Sequence, residues 1–104
     1  MNFTALEVKI LSDFGHIFYT SKDYRKSLTY YEKCRDKAVK NFCQYELAIC
    51  YHYIGVHLHN ARDYGAAYTN YKSAIRIYKQ FFPRAHPKLI NVTVNYQRAR
   101  SQLE

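Results

Sequence analysis

Apolar side chains recur along this chain at helical rather than strand spacing. Leu6, Ile10, Phe14 and Ile17 form a first stripe with the periodicity of an amphipathic helix. Thr4 and Glu7 stand at its start, at the spacing where each side chain can satisfy the other's unpaired backbone amide. This helix is predicted to stop near Ser21 and Lys22. A second is predicted from Asp23, with Tyr24, Leu28, Tyr31, Cys34 and Ala38 on one side and Lys26, Lys33, Arg35, Lys37 and Lys40 on the other. Asn41 and Gln44 repeat the capping spacing and predict a third helix over 42–60. Between Asn41 and Asn60 the only formal charge is Glu46, and apolar residues cover most of the circumference. Such a helix needs neighbours on several sides, so it is expected at the centre. A fourth helix is predicted from Asp63, with Tyr64, Ala67, Tyr71, Ala74 and Tyr78 on one face and Lys72, Arg76 and Lys79 on the other. Pro83 and Pro87 break it, because neither can sit inside a helix. Pro87 suits the first position of a fifth helix, whose stripe is Leu89, Val92, Tyr96, Ala99 and Leu103.

Shifted by forty residues, the chain overlays itself: Gly15 meets Gly55, Asp23 meets Asp63, Tyr24 meets Tyr64, Thr29 meets Thr69 and Tyr31 meets Tyr71. A fixed period of this size marks stacked units, each unable to bury its apolar face alone. The residues at the shared positions are specific. Leu11-x2-Phe14-Gly15-x2-Phe18 is followed by Ser27-x3-Tyr31, and Tyr51-x2-Ile54-Gly55-x2-Leu58 by Ala67-x3-Tyr71. This double pattern resembles the tetratricopeptide repeat, in which W-x2-L-G-x2-Y on one helix is coupled to A-x3-F on the next. The repeat here is longer, and in that respect is similar to those of kinesin light chains. The closing proline of the first copy is missing, and Asn95 or Gln97 stands where a third copy would have its glycine.

The resemblance implies an all-α fold: a tetratricopeptide-like right-handed array of two helical hairpins plus a C-terminal capping helix. It would be a single domain over 1–104, with repeats at about 4–40 and 41–82 and a closing helix at about 87–103. The glycines would let the helices of a hairpin approach closely, with Ser27 and Ala67 keeping the facing surface shallow. Tyr24, Tyr31, Tyr51, Tyr64 and Tyr71 would fill packing positions. A concave groove would be lined by the first helix of each unit. Carried onto this chain, that face comprises Lys9, Ser12, His16 and Tyr19, then Ile49, His52, Tyr53, Val56 and His59, then Asn91, Asn95 and Arg98. The places where some members clamp a chaperone's terminal carboxylate hold Ser12, His16, Tyr53, Asn91 and Asn95, which lack the required cations.

Composition narrows the function. The chain has 104 residues with three glycines, two prolines, twelve tyrosines and no tryptophan. That is too little Gly and Pro for a many-turned β fold. No apolar run approaches the roughly 18 residues of a membrane span, and the N-terminus lacks a signal-peptide layout, so no membrane partner is expected. Cys34, Cys43 and Cys50 are odd in number and form no CxxC, which reads as reduced thiols in an intracellular, cytoplasmic protein. The sequons at Asn2 and Asn91 are read as chance. His52, His57 and His59 crowd one helix, but no second Cys/His pair at ligand spacing accompanies them, so no metal is expected. No nucleophile–base, phosphate-loop or dinucleotide motif occurs, so neither catalysis nor a cofactor is expected.

The reading that follows is a non-catalytic protein-protein interaction module. It would hold a peptide or protein segment against His16, Tyr19, His52, Tyr53, Val56, His59, Asn91, Asn95 and Arg98. Two alternatives come from the charge of +8 and from the repeat. The basic residues of the second helices, on a convex face, could bind nucleic acid or an acidic protein. The chain could also be a structural segment that stacks with itself or with further repeats of a larger scaffold.

Overall fold

The computed structural model describes residues 3–104 as five α-helices: α1 (Phe3–Thr20), α2 (Tyr24–Lys40), α3 (Gln44–Asn60), α4 (Tyr64–Phe81) and α5 (Pro87–Ser101). No strand occurs among the described residues. The helices pack in chain order, each on the next, and α3 also touches α1 and α5. Two hairpins, α1–α2 and α3–α4, are thus laid side by side, with α5 closing against α4, in a body of 47 × 32 × 22 Å. Among the described residues no helix is long and apolar enough to cross a membrane. Asn2, the start of one sequon, lies outside the described residues.

One turn geometry joins the first four helices. Lys22, Phe42 and Arg62 take left-handed φ values of 67°, 57° and 64°. In each turn the next amide reaches back five residues: Asp23 N–H to Phe18 O, Cys43 N–H to Ala38 O and Asp63 N–H to Leu58 O, at 2.9, 3.0 and 2.9 Å. This is the bond that closes a helix through a left-handed residue. The same residue then begins the next helix. The Asp23 carboxylate accepts from Lys26 N–H and the Asp63 carboxylate from Ala66 N–H, at 3.3 and 3.4 Å. Cys43 holds the equivalent place with no side-chain cap.

Two expected caps are therefore corrected. Asn41 ends α2, its amide bonding to Lys37 O both through the backbone and through Nδ2, and α3 starts at Gln44. The left-handed residue needs a position between the two helices, and Phe42 takes it. Thr4 lies inside α1, which already includes Phe3, and Glu7 instead pairs with Lys37 of α2.

The α1 stripe is also reversed. Leu6, Ile10, Phe14 and Ile17 are all exposed, and α1 packs through Val8, Ser12 and Gly15. The cause lies in α2. Tyr31 is fully buried, and its ring sits where a side chain at Gly15 would be, so the packed face of α1 must be small. The counterpart in the second hairpin is the Tyr71 ring over Gly55. Tyr24, expected at a packing position, is exposed because it opens α2 beyond the crossing. In α5 the stripe holds for Leu89, Val92 and Ala99, which are buried. Leu103 lies past the helix end and is exposed.

The central helix, α3, buries Leu47, Ala48, Cys50, Ile54, Gly55 and His57. A polar node pins it to both helices of the first hairpin. Ser27 Oγ donates to Gly15 O at 2.8 Å and lies 3.0 Å from His57 Nε2. The hydroxyl has one proton, spent on Gly15 O, so His57 Nε2–H donates to Ser27 Oγ. Burial lowers the His57 pKa, which keeps the ring neutral in that role.

Candidate functional site

Because α1, α3 and α5 touch in sequence, one face of each contributes to a shared surface. Tyr19 from the last turn of α1, His52, Tyr53 and Val56 from α3, and Asn91, Asn95 and Arg98 from α5 line one hollow of about 380 Å³. His16 lies in an adjoining hollow of about 490 Å³ with Ser12, Tyr31 and Ile49. Tyr53 borders both.

His59 is the exception among the expected residues. Its ring packs edge-on to Tyr64 at 5.4 Å and against Tyr71 at 6.0 Å, with Nδ1 3.3 Å from the Tyr71 hydroxyl. It shares a helix face with His52 and Val56 by spacing, but the tight turn at Arg62 folds Tyr64 back onto the last turn of α3. His59 is therefore part of the α3–α4 hairpin contact and not of the hollow.

Aromatic rings organise the surface around Tyr53. Tyr31 stacks on it with centroids 4.9 Å apart and planes 2° from parallel. Tyr19 meets it edge-on at 5.3 Å, and His16 does so at 6.2 Å. His52 stacks against it at 5.4 Å. Such contacts add about 0.5–1.5 kcal/mol per pair beyond burial, so Tyr53 is held rigidly before anything binds.

His52 is electrically quiet. Its burial, with the Lys88 charge beside it, pushes its pKa down to about 4. Its Nε2 lies 3.2 Å from Asn95 Nδ2. The amide nitrogen only donates, so Nε2 accepts and the ring proton sits on Nδ1. The Tyr31 hydroxyl has the opposite situation: it is buried with no hydrogen-bond partner among the described residues. Burial and the neighbouring Tyr53 push its pKa up, so it stays a protonated donor. A buried polar group left unpaired costs about 1–3 kcal/mol, and Tyr31 borders the hollow that holds His16.

The surface therefore offers flat aromatic walls, two exposed or half-exposed amides and one guanidinium. Tyr31 fills the packing position read from sequence, and its stack on Tyr53 depends on how the hairpins meet. One contributor was not anticipated from sequence. Lys88 borders the His16 hollow from the first turn of α5, and its only signal was a place beside Pro87. Among the described residues no three His, Cys, Asp or Glu side chains converge as metal ligands would. The Cys50 thiol is pushed up by its hydrogen bond to Cys34 and by burial, which removes it as a thiolate nucleophile. Comparisons of the chain with protein-family models, with curated proteins and with solved structures find no match.

Proposed function

We propose that the chain is a non-catalytic protein-binding module, built as a tetratricopeptide-like right-handed array, which holds a peptide or protein segment against the α1–α3–α5 surface. The observation that carries this reading is the convergence of Tyr19, His52, Tyr53, Val56, Asn91, Asn95 and Arg98 on one hollow. Two hairpins matching at a forty-residue offset, each with a tyrosine seated on a helix glycine, support the array.

The chemistry suits a chain segment. Asn91 and Asn95 can pair with a backbone amide, which has one donor and one acceptor. Arg98 can take a carboxylate. Tyr19 and Tyr53 can flank an apolar side chain. Since the rings are already fixed by their neighbours, little receptor entropy is lost on binding.

A peptide-display selection on the wild-type chain tests the reading. Peptides recovered should bind the doubly substituted Asn91→Ala, Arg98→Ala chain at least about tenfold more weakly, a difference of about 1.4 kcal/mol. Both positions are exposed, so folding should survive and circular dichroism can verify it. Selected peptides that bind wild type and variant equally would place binding elsewhere.

A further inference from the structure

The positive charge of this chain is segregated. From Tyr64 to Leu103 the sequence has seven Lys and Arg and no Asp or Glu. The ion pairs among the described residues lie instead in α1, α2 and the turn between them. The cations of α4 and α5 therefore have no acidic residue of their own segment to meet.

Several of them rim a groove. Along α4 and α5 runs a trough of about 550 Å³ whose apolar lining comprises buried Leu89, half-buried Ile75 and Tyr96, and exposed Ile90 and Val94. Lys72, Lys79 and Arg84 stand at its edges. It is distinct from the α1–α3–α5 hollow, with which it shares only Val94. On α5, Asn91, Asn95 and Arg98 face the hollow, Val92 and Ala99 face the core, and Ile90, Thr93 and Gln97 face the groove.

The walls specify the shape of an occupant. Ile90, Thr93, Val94 and Gln97 fall at i, i+3, i+4 and i+7 on α5, and Lys72, Ile75 and Lys79 at i, i+3 and i+7 on α4. Two such rows on adjacent helices form the ridges between which a third helix packs. Each row is about 10 Å long, two helical turns at 1.5 Å per residue.

Charge then selects among helices. An apolar lining inside a cationic rim complements a helix with an apolar stripe and acidic flanks. It does not complement nucleic acid, whose phosphates would leave Ile75, Ile90 and Val94 unmatched. A second copy would present the outward stripe of its α1, but Glu7 and Asp13 beside that stripe are already paired with Lys37 and Lys9. We infer that the α4–α5 groove is a docking site for an acidic amphipathic helix of a partner protein. This surface is separate from the one in the proposed function.

The test uses labelled helical peptides of about four turns, read by fluorescence anisotropy against the whole chain. One peptide carries a Leu stripe at i, i+3, i+4 and i+7 flanked by Glu; a second replaces every Glu with Lys; a third scrambles the stripe. The Glu-flanked peptide is expected to bind, and the other two to bind at least about tenfold more weakly. Ile90→Glu should weaken the Glu-flanked peptide by a similar factor. Ile90 is 46% exposed, so that variant should keep its helical circular dichroism. Lys79→Glu with Arg84→Glu should lose the Glu-flanked peptide and gain the Lys-flanked one. The Asn91→Ala, Arg98→Ala chain should keep wild-type affinity for the Glu-flanked peptide, which separates this groove from the hollow. Equal binding of the Glu- and Lys-flanked peptides overturns the inference, as does unchanged binding to Ile90→Glu. So does oligo-uridine binding that Ile90→Glu abolishes, or a wild-type dimer in light scattering that Ile90→Glu dissolves.

Discussion

A methyl group added at Gly55 would lie 2.6 Å from the Tyr71 ring and one at Gly15 would lie 2.9 Å from the Tyr31 ring, whereas Gly65 has open space. Alanine gains about 1 kcal/mol over glycine inside a helix, and overpacking a buried contact costs about 1–3 kcal/mol. Both rings are buried and have little room to retreat. Gly55→Ala should therefore destabilise by about 1–2 kcal/mol and Gly15→Ala by less, while Gly65→Ala should stabilise by up to about 1 kcal/mol, all read as shifts in the urea midpoint. The forty-residue offset made Gly15 and Gly55 legible as equivalents. What covers them was less so, because a close approach of two helices and a ring seated on a bare backbone select the same residue. His52 supplies a pH dependence. Its folded pKa of about 4 lies below the ordinary 6.5 of the unfolded chain, so the unfolded state binds more protons between these values. The stability it contributes is complete above pH 6.5 and is lost as pH falls towards 4, by at most about 1.4 kcal/mol per unit. Urea midpoints at about pH 7.5 and about pH 5 should differ more for wild type than for His52→Gln, which cannot protonate. Equal differences would show that His52 is not held neutral by the fold.

Helices and their turns obey different rules of legibility. Pro87 at the first position of α5 and Asp23 and Asp63 as caps are chemical signals, and the structure uses all three. The left-handed residues are silent in the sequence, since Lys22, Phe42 and Arg62 are not the glycine usually found there. Their placement twenty residues apart makes the structural unit one helix and one turn, half the sequence period. The silence has an energetic consequence. A left-handed conformation costs a side-chain-bearing residue about 1–2 kcal/mol, part of which glycine returns through the greater freedom of its unfolded chain. Lys22→Gly and Arg62→Gly, both exposed, should each raise stability by about 0.5–1 kcal/mol, and thermal melts of the single and double variants check the magnitude and its additivity. The outward stripe of α1 is the other element-scale lesson. Periodicity detects an apolar face without saying which face is packed, and on α1 the packed face is the small one. Leu6, Ile10, Phe14 and Ile17 stay exposed even though the Phe14 ring meets that of Tyr30 on α2 at 5.4 Å.

At the scale of the molecule, chain order becomes spatial order, so a linear pattern survives folding. That is why residues from α1, α3 and α5 could be grouped from sequence and why most of them line one hollow. His59 departed because a turn, which the pattern does not encode, folded Tyr64 over it. The charge segregation of α4 and α5 was present in the sequence throughout, but only the groove between them gives it a position. Aromatic rings follow the same nearest-neighbour logic. From Tyr24 the contacts run through Tyr19, Tyr53 and His52 to Tyr78, Phe82 and His86, each ring within 3.8–6.4 Å of the next. This chain contains no tryptophan, so its intrinsic emission comes from tyrosine alone, and energy absorbed by one ring passes readily to others along the row. Fixed in asymmetric surroundings, the stacked Tyr31 and Tyr53 rings are expected to give the folded state a near-ultraviolet dichroic signal that unfolding abolishes. A tryptophan-bearing ligand excited at the red edge of tyrosine absorption would be seen against a dark receptor. The packing that holds the hairpins together thus makes the protein its own optical reporter.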